Sequence, residues 1–308
     1  MKIKLSIAFF LMLSVLFGQH SVLSEDILIT SDSIKLPGTL TYLNHKSPLI
    51  IWISGSGNID RNGNQASYNV KADYIKQFRD SINKKGISFF SYDKRTANPE
   101  NIKYKNDIVF EDFIDDAKTV IDHFRDDRRF SGIILIGHSQ GSLVAMLASK
   151  NIDKYISLEG ASDAIDKVLV QQIIRQSPIA GDTLRSELNE LRETGTIKYI
   201  NPYLRTLLPK QNLLFLKSWM EYDPAKEIKK ISIPILIING IKDTQVLVDD
   251  AQALYYSNPN SKLVLIENMN HVLKDVQTDE DNLKSYYLSD YPLSKKLINE
   301  VADFILKL

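Results

Sequence analysis

Cysteine is absent from the 308-residue chain. That excludes disulfides, thiolate metal sites, a cysteine nucleophile and a lipid anchor on an N-terminal cysteine. A dominant charge sign is also missing, because 38 basic residues stand against 38 acidic ones. A neutral chain has no general attraction for phosphate, so no nucleic-acid partner is expected. Histidine is scarce, with five in all. No two of them stand at metal-ligand spacing, so neither a metal nor another cofactor is expected. Internal repeats and low-complexity tracts are lacking too. What remains is 44% hydrophobic and 25% charged, the mix of an ordinary globular protein. The length allows one large domain or two small ones.

An apolar run covers residues 5–17, with Lys2 and Lys4 before it. Its 13 positions fall short of the ~20 needed to span a bilayer, but fit the ~7–15 of a signal-peptide core. The expectation is a signal peptide over residues 1–24, cut after Ser24 or alternatively after Gly18, and an exported protein, periplasmic or secreted. No stable membrane span is expected after the cut. Without Lys2 and Lys4 the balance becomes 36 basic to 38 acidic residues. The lack of cysteine is compatible with an oxidising compartment.

Beyond residue 25, apolar strand signals alternate with helical periodicity. Strands are expected at 26–30, 33–43, 48–53, 87–92, 133–136, 155–158, 235–239 and 263–267. A bend or bulge is expected at Pro37-Gly38. Helices are expected around 74–82, 113–124, 142–150 and 293–308. Apolar strands alternating with helices imply an α/β protein, a mostly parallel sheet covered on both faces. Between residues 159 and 231 the rhythm breaks into helical pattern at 164–176, 183–193 and 202–217. That stretch is too long for a simple connection. It predicts a helical cap at 163–230 between two core segments, 25–162 and 231–308.

The sharpest local signal is Gly137-His138-Ser139-Gln140-Gly141, directly after a strand and at the start of a helix. A serine on such a tight turn has its hydroxyl exposed at the carboxyl edge of the sheet. A hydroxyl is a weak nucleophile and needs a base. His271 follows the strand at 263–267, where a base can reach Ser139. Asp243 follows the strand at 235–239 and is the expected partner of His271, with Asp163 as the alternative. Asp249 and Asp250 look like exposed helix carboxylates. The order Ser139, Asp243, His271 is that of a nucleophile-elbow hydrolase. Oxyanion donors are expected from the Gln140 amide and from the Ser56 amide in the loop Ser54-Gly55-Ser56-Gly57-Asn58.

The elbow, the loop 54–61 (SGSGNIDR), Tyr92-Asp93-Lys94-Arg95, the run 240–246 (GIKDTQV) and Asn270-His271 together resemble the α/β-hydrolase superfamily. The likeness is to the bacterial branch of exported carboxylesterases and serine-peptidase-like enzymes, and it covers roughly residues 30–308. Asn58 stands where that branch often has Pro, and Thr96 where it often has Gly. The resemblance implies the α/β-hydrolase fold and a Ser–Asp–His triad at the positions already argued. Asp60, Arg61 and Arg95 are expected to form one ion cluster bracing the oxyanion loop. Gly55, Gly57, Leu214 and Trp219 are expected at the substrate pocket, roofed by apolar residues of the cap. The expected activity is hydrolysis of a small carboxylic ester through an acyl-enzyme. A short-peptide substrate or a thioester would use the same residues. An aminopeptidase would need an acid for the amine, and Glu159 or Asp163 could serve. A non-catalytic ligand-binding role is the remaining alternative.

Overall fold

A computed structural model describes residues 21–104 and 107–307. The apolar run at 5–17 lies outside the described residues. In chain order the elements are β1 (Val22–Ser31), β2 (Ile34–Leu43), β3 (Ser47–Ile53), α1 (Tyr74–Asn83), β4 (Ser88–Tyr92) and α2 (Phe110–Phe124). Next come β5 (Phe130–His138), α3 (Gln140–Ala148), β6 (Lys154–Leu158), α4 (Ile165–Gln176), α5 (Pro178–Thr194), α6 (Leu213–Trp219) and α7 (Pro224–Glu227). The chain continues through β7 (Ile235–Gly240), α8 (Val248–Ser257), β8 (Ser261–Ile266), α9 (Asp279–Ser285) and α10 (Lys295–Leu306).

The strands form one eight-stranded sheet in the order β1-β2-β4-β3-β5-β6-β7-β8. β1 with β2 and β2 with β4 are antiparallel, and every later pair is parallel. The expected α/β class is therefore observed. The period-2 alternation of a strand explains how one run covers both faces. Leu49, Ile51 and Ile53 of β3 join the core with Phe110, Phe124 and Val144, while Ile50 and Trp52 join the opposite core with Phe78 and Val301. Ile133 and Leu135 of β5 divide from Ile134 and Ile136 in the same way. Strands buried on both faces need such continuous apolar runs, which is why they were legible.

Two local expectations need correction. Pro37-Gly38 makes no bulge; β2 pairs with β1 in unbroken register. Gly38 instead leaves room for the Phe90 ring, which a Cβ there would meet at 2.3 Å. The register shift of the sheet lies between Ser47 and Leu49 of β3. The helical pattern at 202–217 is broken into short 3-10 turns at Pro202–Leu204 and Lys210–Asn212 before α6. Pro209 stands between them, and proline lacks the N–H and clashes with the preceding turn. A cut after Ser24 would fall within β1 and remove Val22, Leu23 and Ser24, the partners of Leu43, Tyr42 and Thr41. A cut after Gly18 would leave the strand whole.

Between β6 and β7 the helices α4 to α7 carry a small core of their own, including Leu184, Leu188, Leu191, Leu204, Leu208 and Met220. Trp219 stacks on Phe110 of α2 at 5.4 Å with an interplanar angle of 2°. That stack ties the inserted helices to the sheet layer. No helix of the described residues is long and apolar enough to cross a membrane.

Candidate active site

Ser139 sits between β5 and α3 with φ 53° and ψ −121°. A non-glycine residue with positive φ is strained and persists only where its surroundings over-determine it. They do so here. The Ser139 N–H donates to the Leu158 carbonyl at 2.9 Å. A Cβ on Gly137 would meet the Gly141 carbonyl oxygen at 2.2 Å, and one on Gly141 would meet the Ile53 carbonyl oxygen at 2.2 Å. Only glycine lets the strand, the turn and the next strand close this tightly. The turn lifts the Ser139 side chain toward the loops at the carboxyl edge of the sheet.

The parallel strands gather the partners at that edge. His271 Nε2 lies 3.0 Å from Ser139 Oγ, and His271 Nδ1 lies 2.6 Å from Asp243 Oδ2. The Asp243 Oδ1 atom accepts from the Gln245 and Val246 amides at 2.7 and 3.1 Å. Burial alone would raise the Asp243 pKa. The adjacent His271 and the hydrogen bonds to the carboxylate outweigh burial and hold the pKa below the usual aspartate value. The structure thus brings Ser139, His271 and Asp243 into one hydrogen-bonded chain. Asp163 is elsewhere, its side chain 3.5 Å from both Lys167 Nζ and Gln171 Nε2.

Gln140 opens α3, so its N–H has no intrahelical acceptor and lies at the positive end of the helix. Ser56 and Gly57 line the same cavity as Ser139 and Gln140. Gly55 does not line it; its position packs against His138 and Ser139, where a Cβ would sit 3.2 Å from both side chains. The cavity holds about 680 Å³. Phe113, Leu169, Leu208, Leu213, Phe215 and Trp219 make much of its wall. Leu214 turns outward instead and is 48% exposed. Its neighbours Leu213 and Phe215 line the cavity.

The expected ion cluster is two separate ones. Arg61 holds Asp93 through two guanidinium contacts, both at 3.0 Å, with Asp26 alongside. Arg95 pairs with Asp112 and with the buried Asp116 at 2.8 and 2.7 Å. Asp60 joins neither pair and accepts from the Asn62 and Asn64 amides of its own loop. Asp250 is not a free surface carboxylate either, since it accepts from the Ser162 amide and hydroxyl, both at 2.9 Å.

Three buried groups near the site were not assigned these places by the sequence. His138 is in the elbow, but its ring reaches across to His271, with Nε2 at 2.7 Å from the His271 carbonyl. That contact requires the proton on Nε2, and leaves Nδ1 to accept from the Tyr74 hydroxyl at 3.4 Å. Burial, then the nearby His271, lowers the His138 pKa to about 3, so the ring stays neutral. Glu159 is fully buried and accepts from the Gly240 amide at 2.9 Å. It does not line the cavity, so the expected role in holding a substrate amine falls away. Burial first, then the Asp243 charge, pushes its pKa well above the usual value.

Lys94 is the third. Its Nζ donates to the Gly55 carbonyl at 2.6 Å and to Gln140 Oε1 at 2.9 Å, over the face of Phe113. It ties the 54–58 loop to the residue after Ser139. Burial lowers its pKa to about 7. The hint in the sequence was a lysine two residues past a strand, at the carboxyl edge of the sheet where the loops gather. Lys94→Met removes both bonds and should lower kcat on esters by roughly 10- to 100-fold, the loss of hydrogen bonds to a charged donor. KM should change little, and steady-state kinetics on one activated ester would measure both.

The sequence profile of the BD-FAE family matches residues 40–257, well over half of the chain. Esterase EstD of Thermotoga maritima is 21% identical over 285 residues, covering 88% of this chain and 66% of its own length. The chain therefore spans just under two thirds of that curated relative. Est1E from Butyrivibrio proteoclasticus, with ferulic acid bound, superposes with a TM-score of 0.59 at 20% identity, over 91% of this chain and 98% of that one. An acylaminoacyl peptidase from Pyrococcus horikoshii gives 0.58 at 13% identity, over 93% of this chain and 42% of that one. These structures share the α/β-hydrolase fold with this protein. The elbow, the strand order and the profile match converge, and the chain belongs to the BD-FAE family on an α/β-hydrolase fold.

Proposed function

We propose that the protein is a serine hydrolase that cleaves carboxylic esters through an acyl-enzyme. The observation that carries this reading is the continuous chain Ser139–His271–Asp243 opening onto a largely apolar cavity. Ser139 Oγ attacks the ester carbonyl as His271 Nε2 takes its proton. The tetrahedral oxyanion is held by the Gln140 and Ser56 amides. Collapse expels the alkoxide, which receives the proton from His271 and leaves as the alcohol. Water then gives a proton to His271 and attacks the acyl carbon; collapse breaks the bond to Ser139 Oγ, which takes the proton back from His271, and releases the carboxylic acid. Asp243 keeps the His271 proton on Nδ1 and stabilises the imidazolium.

The apolar wall suits an uncharged acyl group or alcohol. The names of the similar esterases support the ester assignment. Export is proposed from Lys2, Lys4 and the apolar run at 5–17. A matched p-nitrophenyl ester, thioester and p-nitroanilide of one short acyl group test the bond class. The ester should be turned over far faster than the anilide. Faster anilide cleavage would replace the esterase reading with the peptidase one, and Asp163 would be the acid available on the cavity wall.

A further inference from the structure

We propose that Glu159 is a positioning residue of this site, held as the neutral acid and donating its proton in a hydrogen bond to the Asp243 carboxylate. The inference rests on the esterase reading of Ser139, His271 and Asp243. The geometry that carries it is independent of substrate. Glu159 follows β6 directly, one strand over from the loop that bears Asp243. It is 0% exposed. Its Oε1 accepts from the Gly240 amide at 2.9 Å, but the fully enclosed Oε2 has no described donor. An enclosed carboxylate oxygen without a donor is costly, and neutralisation removes the cost.

The neighbours decide where the proton goes. Carboxyl oxygens of Glu159 and Asp243 and a ring nitrogen of His271 lie within 4.8 Å of one another. Asp243 already receives the Gln245 and Val246 amides and the His271 ring, which favours its ionised form. Two like charges at that separation in a closed site oppose each other, so one acid of the pair takes a proton. Glu159 has one donor, the Gly240 amide, against three partners for Asp243, and burial with the Asp243 charge raises its pKa accordingly. Two further described titratable groups face the pair: Tyr286, itself pushed up by burial and by the two acids, and His138, which burial keeps neutral although the Asp243 charge acts on it. No described Lys or Arg is ion-paired with either acid. A cation shared by the trio is disfavoured by the 2.6 Å contact between His271 Nδ1 and Asp243 Oδ2, because metal bonds of ~2.0–2.2 Å to both atoms would push them apart. The backbone adds a further sign: Glu159 has φ 51°, a left-handed conformation that a non-glycine residue adopts at a cost.

The consequence is mechanical and electrostatic. The Gly240 amide and the Asp243 carboxylate fasten the two ends of the Glu159 carboxyl group. Asp243 is thereby fixed toward His271, and its basicity is moderated by the donated hydrogen bond. Infrared difference spectroscopy of wild type against Glu159→Gln at pH 7 tests the protonation directly. A protonated-carboxyl C=O band lost in the variant is expected. Loss of a carboxylate band instead would overturn the proposal, whether or not the protein hydrolyses esters.

Kinetics test the positioning role. Glu159→Gln keeps an acceptor for Gly240 and a donor for Asp243, so kcat should stay within about threefold of wild type. Glu159→Leu keeps neither. Its kcat should fall about 10- to 100-fold with KM nearly unchanged, and the acid limb of kcat/KM should move to higher pH as Asp243 becomes more basic. A Gln variant as impaired as the Leu variant, or an unmoved pH limb in the Leu variant, would overturn it.

Discussion

Ser139→Ala should lower kcat on an activated ester by about five to six orders of magnitude, with thermal stability nearly unchanged. The kinetic effect follows from the loss of the proposed attacking atom. His271 Nε2 is 3.0 Å from Ser139 Oγ and loses that partner. The oxyanion donors and cavity remain, so residual catalysis of roughly 10³–10⁴ over water is expected. The stability effect is small because alanine meets the same backbone strain as serine at φ 53°. Both residues have a Cβ, and the hydroxyl makes its described contact only with His271. Stopped-time hydrolysis assays and a thermal melt of the same preparation check both halves. Substantial turnover by the variant would remove Ser139 from the mechanism.

Asp243→Asn is expected to cost about 10⁴ in kcat, the scale of a wrong-tautomer substitution. The Asp243 Oδ1 side is committed to the Gln245 and Val246 amides. An asparagine oxygen can keep those bonds only by turning its NH₂ toward His271 Nδ1. That nitrogen must then accept, which puts the imidazole proton on Nε2, facing Ser139. The base can no longer take the serine proton. Activity across pH, measured with the wild type, gives the result. A variant of near-normal kcat would make Glu159 the acid to test next, since it lies within 4.8 Å of the ring nitrogen. Asp163 is on the cavity wall but contacts Lys167 and Gln171 rather than His271.

Much of this was legible from residue order because the chemistry here is local or set by strand ends. The elbow is five consecutive residues, and its glycines are dictated by contacts as short as 2.2 Å. Asp243 and His271 each follow a parallel strand, and a parallel sheet delivers such loops to one edge. What escaped depends on contacts far apart in sequence. Lys94 reaches Gln140, His138 reaches the His271 carbonyl, and Glu159 reaches Gly240. Charge alone suggested that Asp60, Arg61 and Arg95 would meet, yet Arg95 found the acids of α2 that no spacing links to it. The cap was visible as an interruption, but not its inner face. Leu214 and Leu213 are adjacent and equally apolar, and only the direction of α6 decides which one faces the cavity.

The central claim is that Ser139 is an activated nucleophile. A fluorophosphonate probe forms a covalent bond to such a serine and displaces fluoride. The protein should be labelled on Ser139, as located by peptide mass spectrometry, and the Ser139→Ala variant should not be. A folded wild type that takes up no label, or label on another residue with Ser139 unmodified, would contradict the account.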